Sequence, residues 1–196
     1  MIARIAPSAL LYLTSPKPNN PTTTNDRQWA AVQGHTEVAR CLLDFGAALN
    51  GTEWEMGRTA LYMAAGRGHV SFVELLLSRG ADPSLRRAGG RTPLGIAAYN
   101  GHTEVVRLLL RHWGSDLDGR DEQGCTPLWQ AARNGRTQAL RLLLAAGADP
   151  SVPGEQGWLA VDVAREKDRA ECVALLEVRF LFVWGGGGGG GVWVCW

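Results

Sequence analysis

Gly90-Arg91-Thr92-Pro93-Leu94-Gly95-Ile96-Ala97-Ala98-Tyr99-Asn100-Gly101-His102 reads as one short helix with both ends marked. Gly90 supplies a turn. Thr92 is a suitable N-cap, because its hydroxyl can accept an orphan helix N–H, and Pro93 falls at the first helical position, where no N–H is missed. The helix runs through Ile96-Ala97-Ala98, whose small alanines allow close packing, and stops at Gly101, which tolerates the left-handed conformation that ends helices. A second helix is expected from Thr103 to about Arg111. There Val105, Val106, Leu109 and Leu110 recur at three- and four-residue spacing and make one apolar stripe.

Outward from this stretch the pattern returns. Gly34-His35, Gly68-His69, Gly101-His102 and Gly135-Arg136 step by 34, 33 and 34 residues. Gly57, Gly90, Gly124 and Gly157 step by 33, 34 and 33, and Gly46-Ala47, Gly80-Ala81, Gly114-Ser115 and Gly147-Ala148 by 34, 34 and 33. The stripe also returns, as Val73, Leu76 and Leu77 and as Leu140, Leu143 and Leu144. One helix pair cannot cover its own stripe, so successive pairs must stack into an elongated solenoid with local contacts.

Gly-x-Thr-Pro-Leu followed by Ala-Ala, Gly-His, Val, Leu-Leu and Gly-Ala-Asp resembles the ankyrin repeat over about residues 26 to 178. Arg91-Thr92-Pro93-Leu94, Ala97-Ala98, Gly101-His102 and Leu109-Leu110 match in one unit, Cys125-Thr126-Pro127-Leu128 through Ala148-Asp149 match equally well, and Arg58-Thr59-Ala60-Leu61 onward differs in having Ala60 where the family has Pro. The resemblance implies an all-α solenoid of about five repeats, with antiparallel helix pairs joined by short β-hairpin fingers and partners bound along the concave face. The expected units are a partial repeat at 26–50, full repeats at 51–84, 85–118 and 119–151, and a capping repeat at 152–178. In the first unit the Thr-Pro-Leu positions hold Asn25, Asp26 and Arg27, so its front is replaced. The family's His after Thr-Pro-Leu is Tyr62, Gly95, Trp129 and Asp162 here, so the hydrogen bond that it makes is expected to be absent or replaced. The last unit keeps Val161, Ala164, Val173 and Leu176 for the core, but Asp168-Arg169 stand in place of Gly-His, which reads as a polar cap.

Both flanks depart from the pattern. Residues 1–25 hold Pro7, Pro16, Pro18 and Pro21 and no acid, which suits a flexible leader better than a signal sequence. Residues 179–196 are a Gly- and Trp-rich tail in which Gly185 to Gly191 lack the Lys-Ser/Thr of a phosphate loop. This tail reads as a splice or frame anomaly, or as an evolved apolar peptide, and is expected to be dispensable for folding.

Composition narrows the function. In 196 residues, 20 Lys+Arg against 19 Asp+Glu give a net charge of +1, which removes the electrostatic case for a nucleic-acid or membrane-surface binder. Only Lys17 and Lys167 are lysines, a bias that fits either GC-rich coding or Arg recognition of acidic groups. Cys41, Cys125, Cys172 and Cys195 lie far apart, without metal-ligand spacing, so free thiols and a cytoplasmic or nuclear location are expected. No apolar run approaches the ~20 residues that span a bilayer. His35, His69 and His102 share one repeat position, and a repeat sets like groups in a row where catalysis needs unlike groups converging. Catalytic residues, cofactors and metals are therefore not expected.

The positions that the fold leaves free to vary are the finger tips and the exposed side of the first helices. They are Trp54, Glu55, Met56 and Arg58, then Arg87, Ala88 and Arg91, then Glu122, Gln123 and Cys125, then Glu155 and Trp158, with Arg67, Tyr99, Asn100, Arg133, Asn134 and Lys167 behind them. Arg and large aromatics are enriched at binding hot spots. From these the expected protein-binding set is Trp54, Met56, Arg58, Arg67, Arg91, Tyr99, Asn100, Arg133, Asn134 and Trp158. The reading is a monomeric, non-enzymatic scaffold that binds another protein, with an acidic surface expected on the partner. Alternatives are an adaptor that recruits ubiquitin-ligase machinery, or a truncated isoform with little function of its own.

Overall fold

In a computed structural model of the chain, the described residues are 33–44, 48–52, 57–112 and 116–184, the last seven of them as backbone alone. Among them nine α-helices follow one another: α1 Thr36–Asp44, α2 Ala60–Arg67, α3 Val70–Ser78, α4 Pro93–Asn100, α5 Thr103–Arg111, α6 Pro127–Arg133, α7 Thr137–Ala145, α8 Ala160–Glu166 and α9 Ala170–Trp184. The 1–25 leader, the front of the first unit, Glu53 to Met56 and the glycine run lie outside the described residues. The backbone of α9 runs on through Val178 to Trp184, six residues past the expected end of the last unit.

The helices form two rows. In the inner row α2, α4, α6 and α8 pack in sequence, in the outer row α1, α3, α5, α7 and α9 do the same, and each inner helix packs on the outer helix that follows it. The caps explain where the inner helices begin. Buried Thr59, Thr92 and Thr126 accept the N–H groups of Tyr62, Gly95 and Trp129 at 3.1, 3.1 and 3.2 Å. In the last unit Leu159 stands in place of Thr, and the Asp162 carboxylate accepts the Leu159 N–H at 3.1 Å instead.

Each inner helix ends in the same reverse turn. The N–H groups of His69, His102, Arg136 and Arg169 reach back to the carbonyls of Ala64, Ala97, Ala131 and Ala164, which satisfies helix-end carbonyls that would otherwise be orphans.

Leu61, Leu94, Leu128, the paired alanines and the outer-helix residues Val73, Val105, Val106, Leu109, Leu140 and Leu143 are buried as one continuous core. Two stripe positions differ from expectation. Leu110 is half-buried at the core's edge, and in α9 Cys172 is fully buried while Val173 is only partly so. Val173 holds the register of Val73, Val106 and Leu140, but no further described outer helix lies beside α9 to cover it.

The fingers differ in detail from hairpins of paired strands. Among the described residues there is no strand, only a bridge between Thr52 and Thr59. Each later finger is a tight turn closed by two backbone bonds. Arg87 N–H donates to Arg91 O and Gly90 N–H to Arg87 O, Asp121 to Cys125 and Gly124 to Asp121, Gly154 to Trp158 and Gly157 to Gly154. Five-residue turns of this kind are too short for a ladder.

Arginines staple neighbouring fingers. The Arg86 guanidinium donates to Gly90 O in its own turn, to Arg120 O of the next unit at 2.6 Å, and to Asp116. Thirty-four residues on, Arg120 repeats the device on Gly124 O and Pro153 O.

Candidate functional site

The repeat register defines the surface. Arg58, Arg91, Cys125 and Trp158 occupy one finger position, and Tyr62, Gly95, Trp129 and Asp162 occupy the inner-helix position four residues on. The face therefore changes chemistry along the stack.

At its N-terminal end Arg58, Arg87 and Arg91 lie near Tyr62. Tyr62 is 6% exposed, with the Arg87 guanidinium 5.9 Å from its ring centroid. Burial pushes the Tyr62 hydroxyl above the usual tyrosine range, against the pull of the nearby charges of Arg87, Arg91 and Arg58 and of a hydrogen bond from Arg87. Arg91 lies 5.0 Å from the Tyr99 ring centroid and 3.4 Å from the Asp121 carboxylate. Gly95 makes room for its stem, since a Cβ there would come within 3.1 Å of Arg91 Cγ.

The C-terminal end is aromatic and internally neutralised. The Trp129 indole N–H donates to Trp158 O at 3.0 Å, and the turn can lie on the ring because Gly154 has no side chain: a Cβ there would sit 2.7 Å from Trp129 Nε1. Arg133 stacks 5.5 Å from Trp129 and reaches Glu155 at 3.4 Å, while Lys167 pairs with Glu166 at 3.0 Å. These groups, with Gln156, Trp158 and Val163, surround a depression of about 190 Å³. Trp158 stands on its rim, 40% exposed.

The expected binding residues divide. Arg67, Tyr99, Arg133 and Trp158 are exposed and Arg58 is half-buried, while Trp54 and Met56 lie outside the described residues. Asn100 is tied down, its side-chain N–H donating to Gly66 O of the preceding unit at 2.8 Å. Asn134 donates to Gln130 O in its own helix at 2.8 Å. Cys125, read from the sequence as a free finger position, is instead 4% exposed. Burial pushes its thiol up to about 11, so it is a poor nucleophile.

Sequence reasoning missed Asp121 and Gln130. The buried Asp121 carboxylate takes the Cys125 N–H at 2.8 Å, the Gln123 N–H at 3.2 Å, the Gln130 side-chain amide and the Arg91 guanidinium, and so links two units. The available signal was an acid five residues before Thr126-Pro127.

His102 is a strut between units. His102 Nε2 lies 3.0 Å from Gly66 O, and where the next unit has Arg136, its Nε donates to the equivalent carbonyl of Tyr99 at 3.2 Å. Among the described residues no group of three His, Cys, Asp or Glu is placed to hold a metal, and no helix is long and apolar enough to cross a membrane.

Stacked helix pairs with capped turns and a graded finger face define a solenoid interaction module. The chain belongs to the ankyrin-repeat family: the family model "Ankyrin repeats (3 copies)" matches residues 7–87 and 79–154, beginning inside the stretch read as a leader. Ankyrin repeats are a non-catalytic protein-interaction fold.

Among curated proteins the chain is similar to Palmitoyltransferase Hip14 of Drosophila melanogaster, 37% identical over 62 residues, which are 32% of this chain and 10% of that protein. It is also similar to Ankyrin repeat and KH domain-containing protein mask of the same organism, 48% identical over 62 residues, or 31% and 2% of the two chains. The likeness to Protein HOS4 of Saccharomyces cerevisiae is 42% over 57 residues, or 29% and 5%. The chain thus spans a tenth or less of each of these relatives.

Proposed function

We propose that this chain is a non-enzymatic scaffold that binds one partner protein along its fingers and inner helices. The observation that carries the reading is where exposed apolar bulk sits: of the exposed large hydrophobics among the described residues, Val70, Tyr99 and Trp158, two lie on this face, at 37% and 40% exposure, among arginines. Exposed aromatics beside Arg are what binding hot spots are made of.

The arginines favour an acidic surface on the partner. The free thiols Cys41, Cys125 and Cys172 support a cytoplasmic or nuclear setting. We assign the protein no catalytic role and read it as a monomer.

The test is affinity purification with mass spectrometry, using the full chain and its Tyr99→Ala/Trp158→Ala variant. A specific protein captured by the first and lost from the second supports the reading. Equal capture by both places binding elsewhere and overturns it.

A further inference from the structure

Resting on that reading, we infer that the last finger clamps an extended segment of the partner, seating one bulky uncharged side chain in the depression beside Trp158 while the Gln156 amide bonds the segment's main chain. Size limits the occupant. At about 190 Å³ the depression is smaller than the roughly 300–1,000 Å³ of small-molecule pockets and has room for one large side chain. Its apolar lining is Trp129, Trp158 and Val163, of which Trp158 is the exposed member.

Charge limits it further. Four ionised groups line the depression, and each has its partner there: Arg133 lies 3.4 Å from Glu155, and Lys167 lies 3.0 Å from Glu166. A charged anchor competes with one of these pairs, whereas an aliphatic or aromatic one packs on the indole and leaves both intact.

A strained residue marks the main-chain contact. Gln156 holds φ of 58° and ψ of 18°, in the left-handed region, at a finger position that Gly89 fills two units earlier with φ of 94°. Glycine bears that conformation freely, and backbone strain in a bulkier residue is characteristic of positions that hold a group for a ligand. The exposed Gln156 side chain lines the depression, and among the described residues it makes no hydrogen bond. Its amide both donates and accepts, which matches a peptide unit. A helix spends its own N–H and C=O groups internally, and an extended segment still offers them.

A random twelve-residue phage-displayed library panned on the full chain, followed by affinity measurement on a synthetic copy of the enriched peptide, tests this. The expected peptides share one Leu, Ile, Met, Phe or Trp and no charged position, and their affinity should change less than about twofold between low and high salt. Trp158→Ala, shown folded by circular dichroism, should weaken them about tenfold. Gln156→Gly should weaken them about fivefold, the factor that one hydrogen bond supplies, and yet raise the melting temperature, since it removes the strain together with the amide. A residue that serves the fold alone would not separate binding from stability in this way. Peptides defined by a charge, a strongly salt-dependent affinity, indifference to either variant, or a lower melting temperature for Gln156→Gly overturns the inference and leaves the protein-binding reading standing. Failure to enrich any peptide also overturns it, and the purification experiment then decides the broader reading independently.

Discussion

Gly68 and Gly80 lie at the ends of consecutive helices, α2 and α3, with φ of 76° and 87°. Both would be strained by any side chain, but only one is crowded. A Cβ on Gly68 would stand 2.6 Å from His102 Nδ1 and 2.9 Å from its Cε1, whereas one on Gly80 would meet nothing within 4 Å. An L-residue in the left-handed region costs about 1–2 kcal/mol, and this is the whole expected cost of Gly80→Ala. Gly68→Ala must also displace the imidazole that lies 3.0 Å from Gly66 O, which adds about 1 kcal/mol for the hydrogen bond and about 1 kcal/mol for overpacking. The two variants should therefore differ by roughly 2 kcal/mol. At about 2–4 °C per kcal/mol for a chain of this size, the extra loss in melting temperature is roughly 4–8 °C. Urea denaturation followed by circular dichroism measures both, and adding His102→Ala to each closes a double-mutant cycle. The extra cost should vanish in the His102→Ala background. Equal destabilisation by the two alanines, or no coupling to His102, would refute the idea that the glycine holds the repeats together through the histidine.

Leu109→Ala and Leu143→Ala, each truncating a fully buried outer-helix side chain, should cost about 2–5 kcal/mol, and unchanged melts would show that the stripe is not the core. Asp168 holds φ of 55° at the position occupied by glycine in the earlier units, so Asp168→Gly should raise the melting temperature by about 2–4 °C, corresponding to roughly 1 kcal/mol. The Cys125 thiol, raised from 9.0 to about 11, stays neutral in the fold while the unfolded thiol ionises. Its contribution is therefore full below pH 9 and is lost as pH rises from 9 to 11, and Cys125→Ser should flatten that part of a stability–pH curve. Ending the chain at Val178 removes the last six residues of α9, and a melting temperature lower by several degrees would sink the expectation that the chain from 179 onward is dispensable.

What could be read from the sequence was local. Thr92, Pro93 and Gly101 specify a helix within a dozen residues, and the structure ends that helix where they say. Cys125 could not be placed the same way, because its exposure is decided by the next finger, whose Glu155 backbone reaches the thiol. Asp121 escaped for a related reason: a buried carboxylate is acceptable only once Arg91 arrives from the neighbouring unit and Gln130 from the following helix. Asn100 looked like a free surface amide, since its acceptor, Gly66 O, is 34 residues earlier in the chain. Caps and the apolar stripe were legible because they repeat, whereas the side-chain bonds of Asp121, Asn100 and Asn134 occur at single positions and have no period to betray them.

The junctions between units also govern how such a chain can grow. Gly34, Gly68, Gly101 and Gly135 each leave a notch that the residue just before the next outer helix fills, His69, His102, Arg136 and Arg169 in turn. Because every notch is a left-handed glycine and each plug, His or Arg, enters it from the same repeat position, a duplicated unit can be spliced between two others without inventing a new joint. Asp168 closes the series, since its side chain sits where the next notch would be. Gene duplication can lengthen this protein from within, but a copy added after Asp168 would find no socket.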